Sequence, residues 1–208
     1  MKRSPRDLKR YTAGERANHW LVAITFVLLA LSGLAFFHPA FFPLTQLFGG
    51  GPWTRILHPY IGVVMALGFV LMVVRFWRLN IIRARDRQWL KEAPKLVTEE
   101  HHVMPEQDKY NGGQKVLFWL LVASMLGLTI SGALMWRAWW DLPVELVRAS
   151  VVLHAVSAFA LFGLIILHIY AAIWTRGTLR AMVYGTVNRA WAKYHHPIWY
   201  RRITGEKE

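Results

Sequence analysis

Four stretches of the chain run without Asp, Glu, Lys or Arg for long enough to cross a bilayer: Ala17–Gly51, Ile56–Val74, Val116–Trp136 and Ala149–Thr175. A spanning helix needs about 20 predominantly apolar residues, and each stretch supplies them. The first contains Pro39, Pro43 and the Gly49-Gly50-Gly51-Pro52 turn, so its helix is expected to stop near Phe37. Thr12 and Glu15 have the spacing of a capping box and predict where that helix starts. The reading is an all-α membrane protein, a four-helix transmembrane bundle forming a single domain over 1–208. Its helices lie approximately over 17–37, 56–77, 115–136 and 149–175. Asp86–Thr98 and Thr178–Tyr194 mix charges with apolar residues such as Trp89, Leu90, Leu96, Val97 and Trp191. They predict short interfacial helices or docking surfaces in a loop and in the C-terminal tail. The first run is longer than a signal-peptide core and has no convincing small-x-small cleavage site, so it reads as a retained span.

The chain is 55% hydrophobic yet carries a formal net charge of +13. A soluble domain this basic would suggest nucleic acid, but here the charges avoid the apolar stretches. They also fall on one side. The N-terminal segment, the loop from Arg75 to Lys115 and the tail from Arg176 hold 22 of the 25 Lys and Arg. Arg55, Arg137 and Arg148 are the remaining three. The positive-inside rule places both termini in the cytoplasm. Trp20, Trp77, Trp119 and Trp174 then mark the inner interface, and Trp53, Trp136, Trp139 and Trp140 the outer one. The chain has no cysteine, which removes disulfides, cysteine-ligated iron–sulfur clusters and covalently attached c-type haem.

Of nine histidines, four lie in the spans: His19, His58, His154 and His168. Ionisable groups in a bilayer face the bundle interior, and a single one is most simply a hydrogen-bonded packing residue. Their arrangement points further. His154 and His168 share the fourth span, and their fourteen-residue spacing is about 21 Å of helix and about 40° of rotation. One helix face thus presents an imidazole near each end. His58 follows Arg55 at the outer end of span two, and His19 follows Arg16 at the inner end of span one. The expectation is an outer pair, His58 with His154, and an inner pair, His19 with His168. Two histidines from different helices at one depth suit six-coordinate haem iron. Zinc or copper would need further donors, and no nearby Cys, Asp or Glu supplies them. Leu31-Ser32-Gly33 and Ile130-Ser131-Gly132 form a weak internal echo. Gly33, Gly62 and Gly163 would admit a porphyrin or simply pack helices. His38, His101, His102, His195 and His196 lie at helix ends or in loops and are expected to be solvated.

The chain resembles the gamma subunits, cytochrome b556, of respiratory membrane-bound formate dehydrogenases, within the di-haem transmembrane cytochrome b superfamily. The matching segments are Arg10-Tyr-Thr-Ala-Gly-Glu-Arg-Ala-Asn-His19-Trp20, Arg55-Ile-Leu-His58-Pro59 and Tyr110-Asn111-Gly112-Gly113-Gln114-Lys115. Leu167-His168-Ile-Tyr170-Ala171 and the tail Trp191–Arg201 complete them. The resemblance implies two haem b groups, His58 and His154 on the outer one, His19 and His168 on the inner one. It implies that electrons arrive from an iron–sulfur beta subunit served by a molybdenum or tungsten catalytic alpha subunit. A quinone, menaquinone or ubiquinone, takes them at a pocket containing Asn111, Gly113, Gln114 and His168. The chain would then be a subunit of a formate:quinone oxidoreductase in the bacterial cytoplasmic (inner) membrane, serving anaerobic respiration. Gly112 and the Gly49–Gly51 run are departures from the family pattern.

The histidine pattern alone is shared with cytochrome b subunits of hydrogenases or other reductases and with stand-alone b561-like oxidoreductases. A haem-free anchor or proton-handling transporter is the rival from another class. The two depths of span four and the lack of a carboxylate relay speak against it.

Overall fold

The computed structural model describes residues 7–98, 104–136 and 141–206. Four long helices carry the chain: α1 (Ala13–Phe37), α2 (Gly51–Phe76), α5 (Gly112–Met135) and α6 (Val144–Trp174). Short helices α3 (Ala84–Glu92) and α4 (Lys95–Thr98) lie between α2 and α5. The tail holds α7 (Thr178–Tyr184), α8 (Arg189–His195) and α9 (Pro197–Thr204). All four long helices have the length and composition to cross a membrane, which makes this an all-α multi-pass membrane protein. α1 ends at Phe37 as its prolines predict, and Pro39–Phe48 continues as a 3-10 helix. Thr12 and Glu15 form the expected box: the Thr12 N–H donates to Glu15 Oε2 at 2.8 Å and the Glu15 N–H to Thr12 Oγ1 at 3.2 Å. A two-residue antiparallel ladder between β1 (Leu8–Lys9) and β2 (Thr186–Val187) was not legible in so short a pattern.

The chain forms two compact units. One comprises Ala17–Val74 and Ala123–Phe162, the other Met1–Arg16, Arg75–Val122 and Gly163–Glu208. The first unit packs segments of all four long helices, and its burial is the inverse of a soluble core. Large apolar residues such as Leu67, Val70 and Leu71 on α2 and Val152 and Phe159 on α6 are exposed. Buried instead are small and hydroxylated residues, among them Thr25, Ser32, Thr54, Ser131 and Ser157. Lipid removes the hydrophobic force between helices, so close approach by small residues and hydrogen bonds hold them together. The hydroxyls of Thr25, Ser32, Thr54 and Ser131 each have a backbone acceptor one turn earlier: Thr25 donates to the Leu21 carbonyl and Thr54 to that of Gly50, each at 2.8 Å. Asn18 Nδ2 ties α1 to α2 through the Gly68 carbonyl at 2.9 Å. Phe26 and Phe37 of α1 meet Phe162 and Phe159 of α6 edge to face, at 5.8 and 5.2 Å between ring centres.

The second unit has a small conventional core made by the tail: Ala181, Val187, Trp191, Ala192, Trp199 and Tyr200, with Leu8 and Tyr11 packed against it. The short helices expected in the tail are present, and they fold around a small core of their own. α3 is anchored on the start of α5 by a buried ion pair, Lys115 Nζ to Asp86 Oδ2 at 2.7 Å. Lys115 also donates to the Ile81 carbonyl at 3.2 Å, and the Arg83 N–H to Asp86 Oδ2 at 2.7 Å. The contact explains Gly112, because a Cβ there would stand 2.6 Å from the Asp86 carbonyl oxygen. Only glycine lets α3 come this near. Removing one member of a buried pair strands the other charge and costs about 3–5 kcal/mol. Lys115→Met is therefore expected to lower the melting midpoint in detergent by that equivalent, and Asp86→Asn/Lys115→Met to recover part of the loss.

Candidate haem site

His58 sits about two turns into α2, and His154 about three turns into α6. The structure brings them together with ring centres 6.3 Å apart and planes at 62°. A metal–nitrogen bond of about 2 Å to each ring, plus about 1.1 Å from nitrogen to ring centre, gives a spacing of about 6.2 Å across one metal. The observed separation therefore suits two axial imidazoles on a single iron.

The serines of the sequence echo hold these rings. Ser32 Oγ lies 2.7 Å from His58 Nδ1, and Ser131 Oγ lies 3.0 Å from His154 Nδ1. Each hydroxyl has one proton, and each gives it to the helix: Ser32 to the Leu28 carbonyl at 2.8 Å, Ser131 to the Gly127 carbonyl at 2.5 Å. A hydroxyl that donates to its own helix accepts from the ring, which assigns the proton to Nδ1 in both imidazoles. Nε2 is left with its lone pair, the form a metal needs. Both serines are fully buried. The glycine after each completes the cradle. A Cβ at Gly33 would stand 3.5 Å from His58 Cε1, and one at Gly132 would stand 3.4 Å from His154 Cε1. A larger side chain at either position would reach onto the imidazole itself. The repeated Ser-Gly is therefore one device used twice, which spacing alone did not reveal. Ring spacing and tautomers fit a haem ligated at Nε2 of His58 and His154.

A profile of prokaryotic cytochrome b561 matches residues 10–185. The chain belongs to that family. It is 44% identical to the formate dehydrogenase cytochrome b556(fdo) subunit of Escherichia coli K12, over 96% of this chain and 95% of that protein. It is 39% identical to the nitrate-inducible formate dehydrogenase cytochrome b556(Fdn) subunit of the same strain, over 91% and 88% of the two chains. The formate dehydrogenase cytochrome b556 subunit of Haemophilus influenzae is 37% identical over 92% and 82%. As a prokaryotic cytochrome b561 the chain is a membrane cytochrome b, a class that carries haem b.

The other sequence-predicted residues fall as follows. His19 lies in α1 within the first unit, half-buried, its ring edge-on to Trp20 at 5.6 Å. His168 lies in α6 within the second unit, also half-buried. Asn111 and Gln114 form a reciprocal cap at the start of α5: the Asn111 N–H donates to Gln114 Oε1 at 3.1 Å and the Gln114 N–H to Asn111 Oδ1 at 2.9 Å. The cap uses both amide oxygens and leaves the two –NH2 groups as the donors outside it. Gly113 faces the Trp89 ring, where a Cβ would stand 3.0 Å from Cζ3. Gly62 and Gly163 touch neither histidine. His38 is exposed and accepts from the Ala40 N–H at 3.2 Å. His101, His102, Arg137, Trp139 and Trp140 lie outside the described residues.

His196 corrects the expectation of solvated tail histidines, because it is buried. Its Nδ1–H donates to the Asp108 carbonyl at 2.7 Å, so Nε2 is the acceptor for the Arg10 guanidinium at 3.1 Å. Arg10, buried as well, donates to the Lys109 carbonyl at 2.6 Å and lies 5.0 Å from the ring centres of both Trp191 and Trp199. The Ile198 N–H takes the Gln107 carbonyl at 3.2 Å. Three consecutive carbonyls, of residues 107, 108 and 109, are thus held by the tail and the N-terminal segment just before the Asn111 cap. Burial, then the Arg10 cation, lowers His196 from 6.5 to about 3. A folded value below the unfolded one gives stability that is complete above pH 6.5 and declines as pH falls toward 3. At pH 5 the loss is about 2 kcal/mol. Amide exchange in α8 and α9 is expected to quicken on going from pH 7.5 to 5, after correction for intrinsic rates. His196→Asn, which does not titrate, should flatten that dependence.

Proposed function

We propose that the chain is the membrane cytochrome b subunit of a formate:quinone oxidoreductase, anchoring an iron–sulfur subunit and a molybdenum or tungsten catalytic subunit at the bacterial inner membrane. When bound, two haem b groups would supply a one-electron path from the iron–sulfur subunit, outer haem first, toward a quinone on the cytoplasmic side. The reading rests chiefly on the His58–His154 pair with its two serine-held tautomers. It is supported by similarity to formate dehydrogenase cytochrome b556 subunits over most of the chain.

In this reading His58 and His154 present Nε2 to the outer iron. Ser32 and Ser131 keep those rings from rotating and hold the proton on the far nitrogen. His19 and His168 hold the inner iron. Asn111 and Gln114 offer amide N–H groups to a quinone carbonyl, with Gly113 and His168 beside them. The capping role of Asn111 and Gln114 gives that donor pair a fixed orientation, since helix and cap share the same side chains. The chain's work is ligation, orientation and a low-dielectric surround; formate chemistry belongs to its partner.

Purified chain is expected to give two haem b by pyridine haemochrome assay, with one lost in His58→Ala and one in His168→Ala. Copurification with an iron–sulfur protein and a formate-oxidising subunit tests the complex. A hydrogenase in their place would reassign the electron donor while leaving the haem ligands as stated. Ser32→Ala leaves the ligand but removes its holder, so the outer haem is expected to bind about 10–100-fold more weakly. Haem titration of the apo-protein checks this.

A further inference from the structure

The second unit contains a cavity of about 70 Å³, room for several water molecules or one phosphate group. Its lining is almost wholly cationic, with Arg78, Arg83, Arg85, Lys109 and Arg202 drawn from four segments of the chain. Some of this charge is already matched. Arg202 binds Asp108 with both guanidinium nitrogens, at 3.0 and 2.7 Å, and Lys115, which also reaches the cavity wall, is paired with Asp86. Among the described residues no carboxylate pairs with Arg78, Arg83 or Arg85. Arg78 lies over the Trp77 ring, 5.4 Å from its centre. Burial, then the neighbouring Arg10 cation, pushes the Lys109 ammonium below its ordinary range. An arrangement of unmatched guanidinium forks around a small cavity is the chemistry of phosphate recognition. Its surroundings point to a lipid. Leu79, Ile81 and Ile82 are exposed apolar residues just past the end of α2, on the face that the charge distribution assigns to the cytoplasmic interface, where anionic headgroups and acyl chains meet.

We propose that this cavity is a binding site for the phosphate group of an anionic phospholipid, held by Arg78, Arg83 and Arg85 with the acyl chains along Leu79, Ile81 and Ile82. The site is independent of haem and quinone. It gives the end of α2, the following loop and α3 a common counter-ion.

The test is native mass spectrometry of the full chain in detergent, after delipidation and addition of phosphatidylglycerol, phosphatidylcholine or inorganic phosphate. Wild type is expected to retain one phosphatidylglycerol at least tenfold better than phosphatidylcholine. Arg83→Gln/Arg85→Gln is expected to lose at least tenfold of that retention. The control Arg87→Gln/Lys91→Gln removes the same charge from α3 at residues outside the cavity lining, and should bind as wild type. Arg78→Gln, on a different segment, should weaken binding severalfold, so the proposal does not depend on one variant's folding. Inorganic phosphate at millimolar concentration displacing the lipid from wild type would keep the phosphate site and identify a free anion as its natural ligand. Equal retention by wild type and Arg83→Gln/Arg85→Gln, or no preference for phosphatidylglycerol, would overturn the proposal.

Discussion

Everything at the His58–His154 pair depends on one proton balance. A serine hydroxyl inside a membrane helix has a single proton, and the carbonyl one turn back takes it. What remains on the oxygen can only accept, and at Ser32 and Ser131 the partner is an imidazole Nδ1. A hydrocarbon surround makes this binding, since water cannot offer either nitrogen an alternative. The same bond that keeps a helix polar group satisfied therefore sets the tautomer, aims the ring and leaves the opposite nitrogen ready for a metal. Glycine in the next position keeps a Cβ off the ring it has just fixed.

The two compact units divide these tasks by different physics. Ala17–Val74 with Ala123–Phe162 is held by small residues and hydroxyls, with the large apolar side chains turned to lipid. The unit containing the tail is held as a soluble protein would be, by tryptophans, tyrosine and a buried arginine. Its bonds converge on residues 107–109, immediately before the Asn111–Gln114 cap. The tail therefore sets where α5 begins.

The spans, the end of α1 at Phe37, the Thr12–Glu15 box and the meeting of His58 with His154 were legible in the sequence because each follows from local spacing or helix geometry. The Ser-Gly echo was visible as a pattern, but its meaning needed the position of a histidine on another helix. His196 was misread for a related reason. Its burial depends on Arg10 and Asp108, 186 and 88 residues away, and no local signal carries that information. Gly112 looked like an oddity of the family pattern until the approach of Asp86 accounted for it. Asn111 and Gln114, singled out by resemblance, turn out to satisfy a helix end whatever else they bind.

We propose that the histidines of this membrane cytochrome act in pairs, two imidazoles to each haem iron. Electron paramagnetic resonance of the oxidised, purified chain tests it most directly. The account predicts only low-spin ferric signals, integrating to two haems per chain. A high-spin signal in the intact protein, or a single low-spin centre, would contradict it.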